Sequence, residues 1–420
     1  MNNNLKRLDS ICDITISSID KKSKPNETAV KLCNFTDVYY NWVIYSSTAQ
    51  NFMSATASEK DINSLSLQQG DVCITKDSET RDDIGMSTYI AETLENVVLG
   101  YHCALIRPRL GLNGAYLNAY LNSYLGRKYF ENQASGSGQR YTLTKESIGS
   151  IKISAPSLSA QTAIAKLLLD IDKKISKNKQ INDNLEKQAK LIYDYWFNQF
   201  EFPDENDKPY RSSGGKMKWN KELGREIPEG WKVESIYLIA ELINGLACQK
   251  YRPKIGEKSL PVVKIKEMHD GVTSETEKVS ANIPAKYIIN DGDILFSWSA
   301  TLEVTYWYGG EAGLNQHIFK VVPNKGFPRE YVYHQLKEYI GIFSKIALSK
   351  KTTMGHITSD HIKQSRITIA PESLASKYAN VVLNISNKIK ILNKERKELL
   401  SLRDYLLPLL MNGQAILKDE

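Results

Sequence analysis

Residues 159–198 read SAQTAIAKLLLDIDKKISKNKQINDNLEKQAKLIYDYWFN. Within them Ile164, Leu168, Ile171, Ile175, Asn178, Asn182, Leu185, Ala189, Ile192 and Trp196 alternate at spacings of four and three. A helix with that unbroken heptad presents one seam to a partner helix, and Lys173, Lys174, Lys177 and Lys179 lie mostly off it. At about 1.5 Å per residue the stretch makes a rod of roughly 60 Å.

The seam occurs a second time. At a fixed offset of 214 stand Tyr378, Val382, Ile385, Ile389, Leu392, Arg396, Leu399, Arg403, Leu406 and Leu410. Pro408 has no backbone N–H and is expected to end or kink this helix near Leu407. One heptad helix can pack on its own domain; two at matching places argue for packing on each other. Polar residues in a seam fix register at a cost in stability. Asn178 and Asn182, set opposite Leu392 or Arg396, are therefore expected to specify one alignment, and Asn178→Leu to raise thermal stability.

Outward from the helices the whole chain is written twice. Arg7-Leu-Asp-Ser-Ile11 matches Lys232-Val-Glu-Ser-Ile236, and Gly70-Asp71-Val72 matches Gly292-Asp293-Ile294. His102, six residues before Pro108, matches His317, six before Pro323; Ile151-Lys-Ile-Ser-Ala-Pro156 matches Ile367-Thr-Ile-Ala-Pro371. The common order of these matches identifies a duplicated unit. Each copy opens with short β-like runs, such as Asp71–Thr75 and Asp293–Ser297, broken by Gly, Asn and Pro. A helical stripe follows, Tyr116, Leu117, Tyr120, Leu121 and Tyr124 in the first copy and 331–346 in the second, which we read as core rather than a base-stacking platform. The stretch 201–217 is polar and rich in Pro, Gly and Ser, and reads as a linker.

The 420 residues suffice for two to four domains. Lys and Arg exceed Asp and Glu, 55 to 48, a net charge of +7 that permits a nucleic-acid partner without requiring one. There is no apolar run of membrane-spanning length and no secretory h-region, so a cytoplasmic, membrane-free protein is expected. The five cysteines are scattered and form no C-x-x-C pair, which predicts buried free thiols.

Catalytic motifs are missing. The sequence has no phosphate-binding loop, dinucleotide fingerprint, H-E-x-x-H or G-x-S-x-G, nor the Asn/Asp-Pro-Pro-aromatic tetrapeptide of amino-methyltransferases, and its six histidines have no metal-ligand spacing. What remains is the loop before each long helix: 134–142 in the first copy, 349–356 in the second. Gln139 and Arg140 are candidate base readers, because Gln addresses adenine and Arg guanine with paired hydrogen bonds. Lys350 and Lys351 are candidate phosphate contacts, sequence-blind and salt-sensitive. Lys76, Arg81, Ser137, Tyr141, Ser299, Thr352, Thr353 and His356 complete the candidate nucleic-acid-binding set. A solvated surface loop is the competing reading for each residue alone. For the chain, two rivals fit the residues: an enzyme with an unrecognised active site, and a coiled-coil scaffold that binds only proteins.

Pro156-Ser-Leu-Ser-Ala-Gln161, Ile164-Ala165, Ile171-Asp172, Asn178 to Asn182, Leu185-Glu186, Trp196-Phe197 and Phe200-Glu-Phe-Pro203 form a set of segments around the first long helix. On them rests a resemblance, over essentially the full length, to the specificity (S) subunits of type I restriction-modification systems. It extends to the linker 207–215, Ile227-Pro-Glu-Gly-Trp231, and the ending Leu402-Arg-Asp-Tyr-Leu-Leu-Pro-Leu-Leu-Met-Asn-Gly413. Ala160-Gln161 stands where many members have Glu-Gln, and Leu374-Ala375 in the second copy lacks the Gln.

The resemblance implies a mixed α/β (α+β) chain with pseudo-twofold duplication: two similar target-recognition domains, 1–155 and 230–370, and a pair of long antiparallel coiled-coil spacer helices, 156–200 and 371–420, with a linker at 201–229. The spacer seam would comprise Ile164, Leu168, Ile171, Ile175, Asn178, Leu185 and Ile192 against Ile385, Ile389, Leu392, Leu399 and Leu406. Each domain would read one half of a split, asymmetric target in double-stranded DNA. The chain itself would be non-catalytic and bind no cofactor. Two methylation (M) subunits would bring S-adenosylmethionine, and restriction (R) subunits ATP and magnesium.

Overall fold

The computed structural model describes residues 5–136, 140–273, 276–299, 301–349 and 359–415. They form two compact units, one of Met1–Lys177 with Glu398–Glu420, the other of Asn178–Lys397. Each contains one copy of the α/β repeat and part of both long helices.

The first long helix spans Leu158–Tyr193 and continues through a π-helical turn, Asp194–Asn198; the second spans Glu372–Met411. The heptad reading holds. Ile164, Leu168, Ile171, Asn178, Asn182, Ala189 and Trp196 are buried, with Ile175, Leu185 and Ile192 half-buried. The helices run antiparallel within each unit. In the first, Ile164 and Leu168 share a core with Leu407, Leu410 and Met411. In the second, Asn178 bonds Glu395, and the Tyr378 hydroxyl donates to the Ala189 carbonyl at 3.3 Å. Pro408 does not end the helix, which runs on to Met411. Its place in the last turn explains this, because the missing N–H removes one hydrogen bond from a segment already near its end.

The first unit holds a five-stranded sheet in the order Cys12–Ile16, Cys103–Pro108, Val72–Thr75, Ser87–Ile90, Val43–Ile44. A three-stranded sheet, Met53–Ala57, Thr28–Cys33, Val97–Leu99, shares a cluster of buried apolar side chains with Cys73, Ile90, Cys103 and Leu105 of the five-stranded one. The second unit holds two four-stranded sheets, one of them Ala240–Asn244, Ile318–Pro323, Ile294–Ser297, Glu303–Tyr306. The first three strands of that sheet repeat, in the same order, the first three strands of the five-stranded one.

The repeat extends to single hydrogen bonds. Gly70 and Gly292 have φ of +97° and +96°, a region that glycine enters without Cβ strain. In the same turns the Asp71 and Asp293 carboxylates accept from the backbone of Gln68 and Asn290, each at 2.8 Å. The sequence match at Gly-Asp therefore marks one turn used twice.

Four buried members of the predicted Tyr/Leu stripe, Tyr116, Leu117, Tyr120 and Leu121, belong to the core. Tyr124 does not: Ser123 is extended, a new helix starts at Tyr124, and its side chain is 72% exposed. The stretch read as a linker carries a hairpin, Met217–Asn220 against Arg225–Pro228, and Phe202 stacks on Tyr210 and Trp231 at 4.5 and 5.4 Å. All five cysteines are buried and free. Among the described residues no helix is long and apolar enough to cross a membrane.

Candidate nucleic-acid interface

In the first unit three short segments converge beyond the end of the strand Val72–Thr75. Asp77–Ser78 pairs antiparallel with Tyr141–Thr142, and Ser135 bridges Thr142. The Lys76 amide donates to the His102 carbonyl at 2.8 Å, which brings Tyr101-His102 alongside. His102 has φ of +72°, an uncommon conformation for a non-glycine residue.

This assembly gathers four of the sequence candidates, Lys76, Arg81, Arg140 and Tyr141, around residues that pattern reading missed. Asp77 is the hub. Its Oδ2 accepts from Lys76 Nζ at 2.9 Å and lies 2.6 Å from His102 Nδ1. Burial alone would push the Asp77 carboxyl up, but hydrogen bonds from Thr142, Lys76 and His102 more than offset it and hold the group below its ordinary value. Arg140 Nη2 reaches His102 Nε2 at 3.3 Å. The Arg81 guanidinium lies over the Tyr141 ring and Lys76 Nζ over the Tyr101 ring, at 5.1 and 5.3 Å. Lys76 is thus engaged by a carboxylate and a ring, while Arg140 is exposed.

The second unit repeats the frame with other side chains. Trp298 N donates to the His317 carbonyl at 3.3 Å, the counterpart of the bond from Lys76 to His102. Trp298 and Ser299 therefore stand where Lys76 and Asp77 stand. The Trp298 indole N–H donates to Asn244 Oδ1 at 3.1 Å, its ring lies 5.6 Å from that of His317, and Gln316 Nε2 is 3.4 Å from His317 Nε2. Ser299, expected as a contact residue, is buried. Ser137, Gln139, Lys350, Lys351, Thr352, Thr353 and His356 lie outside the described residues.

Asp77, Tyr101 and His102, with Asn244, Trp298, Gln316 and His317, have no motif spacing. The one usable signal was the match of His102 to His317, which placed both histidines at the same point of the repeat. Cations over aromatic faces, exposed arginine and amide side chains are groups that meet phosphates and base edges. Among the described residues no group of three His, Cys, Asp or Glu side chains is arranged to hold a metal ion.

Comparison with known proteins matches this architecture. The model of the type I restriction modification DNA specificity domain matches residues 2–187 and again 228–401. The chain is 24% identical over 405 residues to the type I restriction enzyme HindI specificity subunit of Haemophilus influenzae, covering 83% of this chain and 87% of that one. It is 24% identical over 379 residues to the MjaIX specificity subunit of Methanocaldococcus jannaschii, covering 86% and 82%. Its fold is similar to the crystal structure of the type I restriction-modification S subunit from M. genitalium, with a TM-score of 0.51 and 14% identity over 98% of this chain and 97% of that one.

Proposed function

The chain belongs to the type I restriction-modification DNA specificity family, with one copy of the domain in each half, and from that premise we propose that its two units read the two halves of a bipartite, asymmetric target in double-stranded DNA. The observation that carries this reading is the pair of equivalent clusters. A shared backbone frame supports Lys76, Asp77 and His102 in one unit and Trp298, Ser299 and His317 in the other. Equal frames suit a duplicated reader, and unlike side chains give unlike half-sites.

The chain acts as the address of a larger enzyme and has no catalytic step of its own. Two M subunits, one for each copy of the repeat, use S-adenosylmethionine to methylate adenine, and R subunits use ATP and magnesium to translocate and cut DNA. The antiparallel long helices set the number of unread base pairs between the halves.

A genome-wide map of adenine methylation in the source cell, with the gene intact and deleted, tests this. Loss of a single split, asymmetric motif on deletion is the expected result. If expression with the neighbouring M subunit in a clean host produces no such motif, the reading fails.

A further inference from the structure

Resting on that reading, we propose that Arg140, oriented by the relay from Asp77 through His102, reads a guanine in the half-site of the first unit. Arginine donates five N–H bonds and accepts none. The contact between Arg140 Nη2 and His102 Nε2 therefore requires a lone pair on Nε2, which puts the imidazole proton on Nδ1, facing Asp77 Oδ2 at 2.6 Å. Asp77 is itself 7% exposed and held by Lys76 Nζ and Thr142, so the hub cannot swing away. The chain runs in one direction: carboxylate, imidazole, guanidinium.

One guanidinium edge is used on His102 and the group remains exposed, two residues before Thr142, which bridges Ser135. A phosphate contact needs charge near an oxygen and tolerates a freely rotating side chain. A planar fork with its orientation set in advance suits a partner with two acceptors in a fixed plane, and guanine offers O6 and N7 in the major groove. Lys76, another cation of the cluster, is engaged by Asp77 and the Tyr101 ring and leaves this task to Arg140. Asp77 and His102 are positioning residues: they touch Arg140, directly or through one ring, and not the base.

The second unit has the same histidine without the relay. Ser299 stands in place of Asp77, and His317 meets Gln316 and the Trp298 ring; no carboxylate bonds it among the described residues. The guanine contact is accordingly confined to one half of the target.

The test uses the full chain assembled with its M subunits. Affinity is measured for the methylated motif and for every single base-pair substitution in both halves, at several salt concentrations. Arg140→Ala is expected to remove discrimination at one G·C pair by about tenfold or more and to leave the other half untouched. His102→Phe and Asp77→Asn are expected to weaken the same position alone, and His102→Gln, which keeps an acceptor for Arg140, to restore much of it. Melting temperatures identify any variant that fails to fold, and Arg140→Ala, at an exposed side chain, carries the decision by itself. Equal weakening on every sequence, with a salt slope reduced by about one, would identify Arg140 as a phosphate contact and overturn the proposal. Unaltered discrimination, or loss at both halves, would overturn it as well. A wild-type complex with no sequence preference would instead overturn the function on which it rests.

Discussion

Asn178 Nδ2 donates to Glu395 Oε2 at 2.8 Å, joining the two long helices between residues 217 positions apart in sequence. The bond fixes one register, because a slip along either helix separates the pair. Its neighbour in the seam, Asn182, is different: Asn182 Oδ1 is buried and meets no donor among the described residues.

The stability gain first assigned to Asn178→Leu therefore moves one turn along. Asn182→Leu is expected to raise stability by about 1–2 kcal/mol, the desolvation penalty of an unsatisfied buried carbonyl. Asn178→Leu is expected to lower it by about 1–3 kcal/mol, since it removes a bond to a charged group. Thermal melts of the two variants, run side by side, check the reversal.

Gln161 supports the opposite end of the first helix. It is buried, accepts from the Asn113 amide at 2.9 Å and donates to the Pro156 and Gly111 carbonyls at 2.9 and 3.2 Å. Ala375, its counterpart in the second copy at the same offset of 214, is also buried. Gln161→Leu is expected to cost about 2–4 kcal/mol by leaving three backbone groups without their partner. Chemical denaturation that shows a loss below 0.5 kcal/mol, about the size of an ordinary surface change, would contradict a structural role.

Asp172 lies in the first helix, almost fully buried, and desolvation lifts its carboxyl to about 6 against a partial opposing pull from Arg403. Because the folded value exceeds the unfolded one, the folded state holds the proton more tightly, and stability falls as pH rises from about 4 to 6. Asp172→Asn is expected to raise stability at neutral pH by up to about 3 kcal/mol and to flatten that part of the profile. Melting temperatures of wild type and variant at pH 4.5 and 7.5 measure it.

His334 answers pH with the opposite sign. It stacks on Tyr193 at 5.3 Å, and burial, aided by Lys337 and Lys190, depresses its imidazole to about 3. The unfolded chain takes up the proton first, so stability is lost as pH falls below about 6.5, by roughly 2 kcal/mol at pH 5. His334→Phe keeps the aromatic packing and is expected to remove this acid sensitivity. An unchanged pH profile in the variant would place the acid-sensitive group elsewhere.

The duplication and the two heptad seams were legible in the sequence, and the family resemblance implied that the helices pair antiparallel. Helical periodicity is a local property, and a repeat is a linear one, so neither needs distant residues to be brought together. The match of Gly70-Asp71 to Gly292-Asp293 was legible for the same reason; the turn it marks came from the structure. Tertiary structure alone decided the rest. Asp77, His102 and Arg140 are 25 and 38 residues apart along the chain. Only the pairing of Asp77–Ser78 with Tyr141–Thr142 and the bond from Lys76 to the His102 carbonyl make them neighbours. Lys76 was among the candidate DNA contacts, and folding placed a carboxylate within 2.9 Å of it. Pro408 was read as a helix end, and its place in a terminal turn made the missing bond cheap. A side chain's type follows from the sequence; its partners depend on strand register and burial, which no single segment encodes.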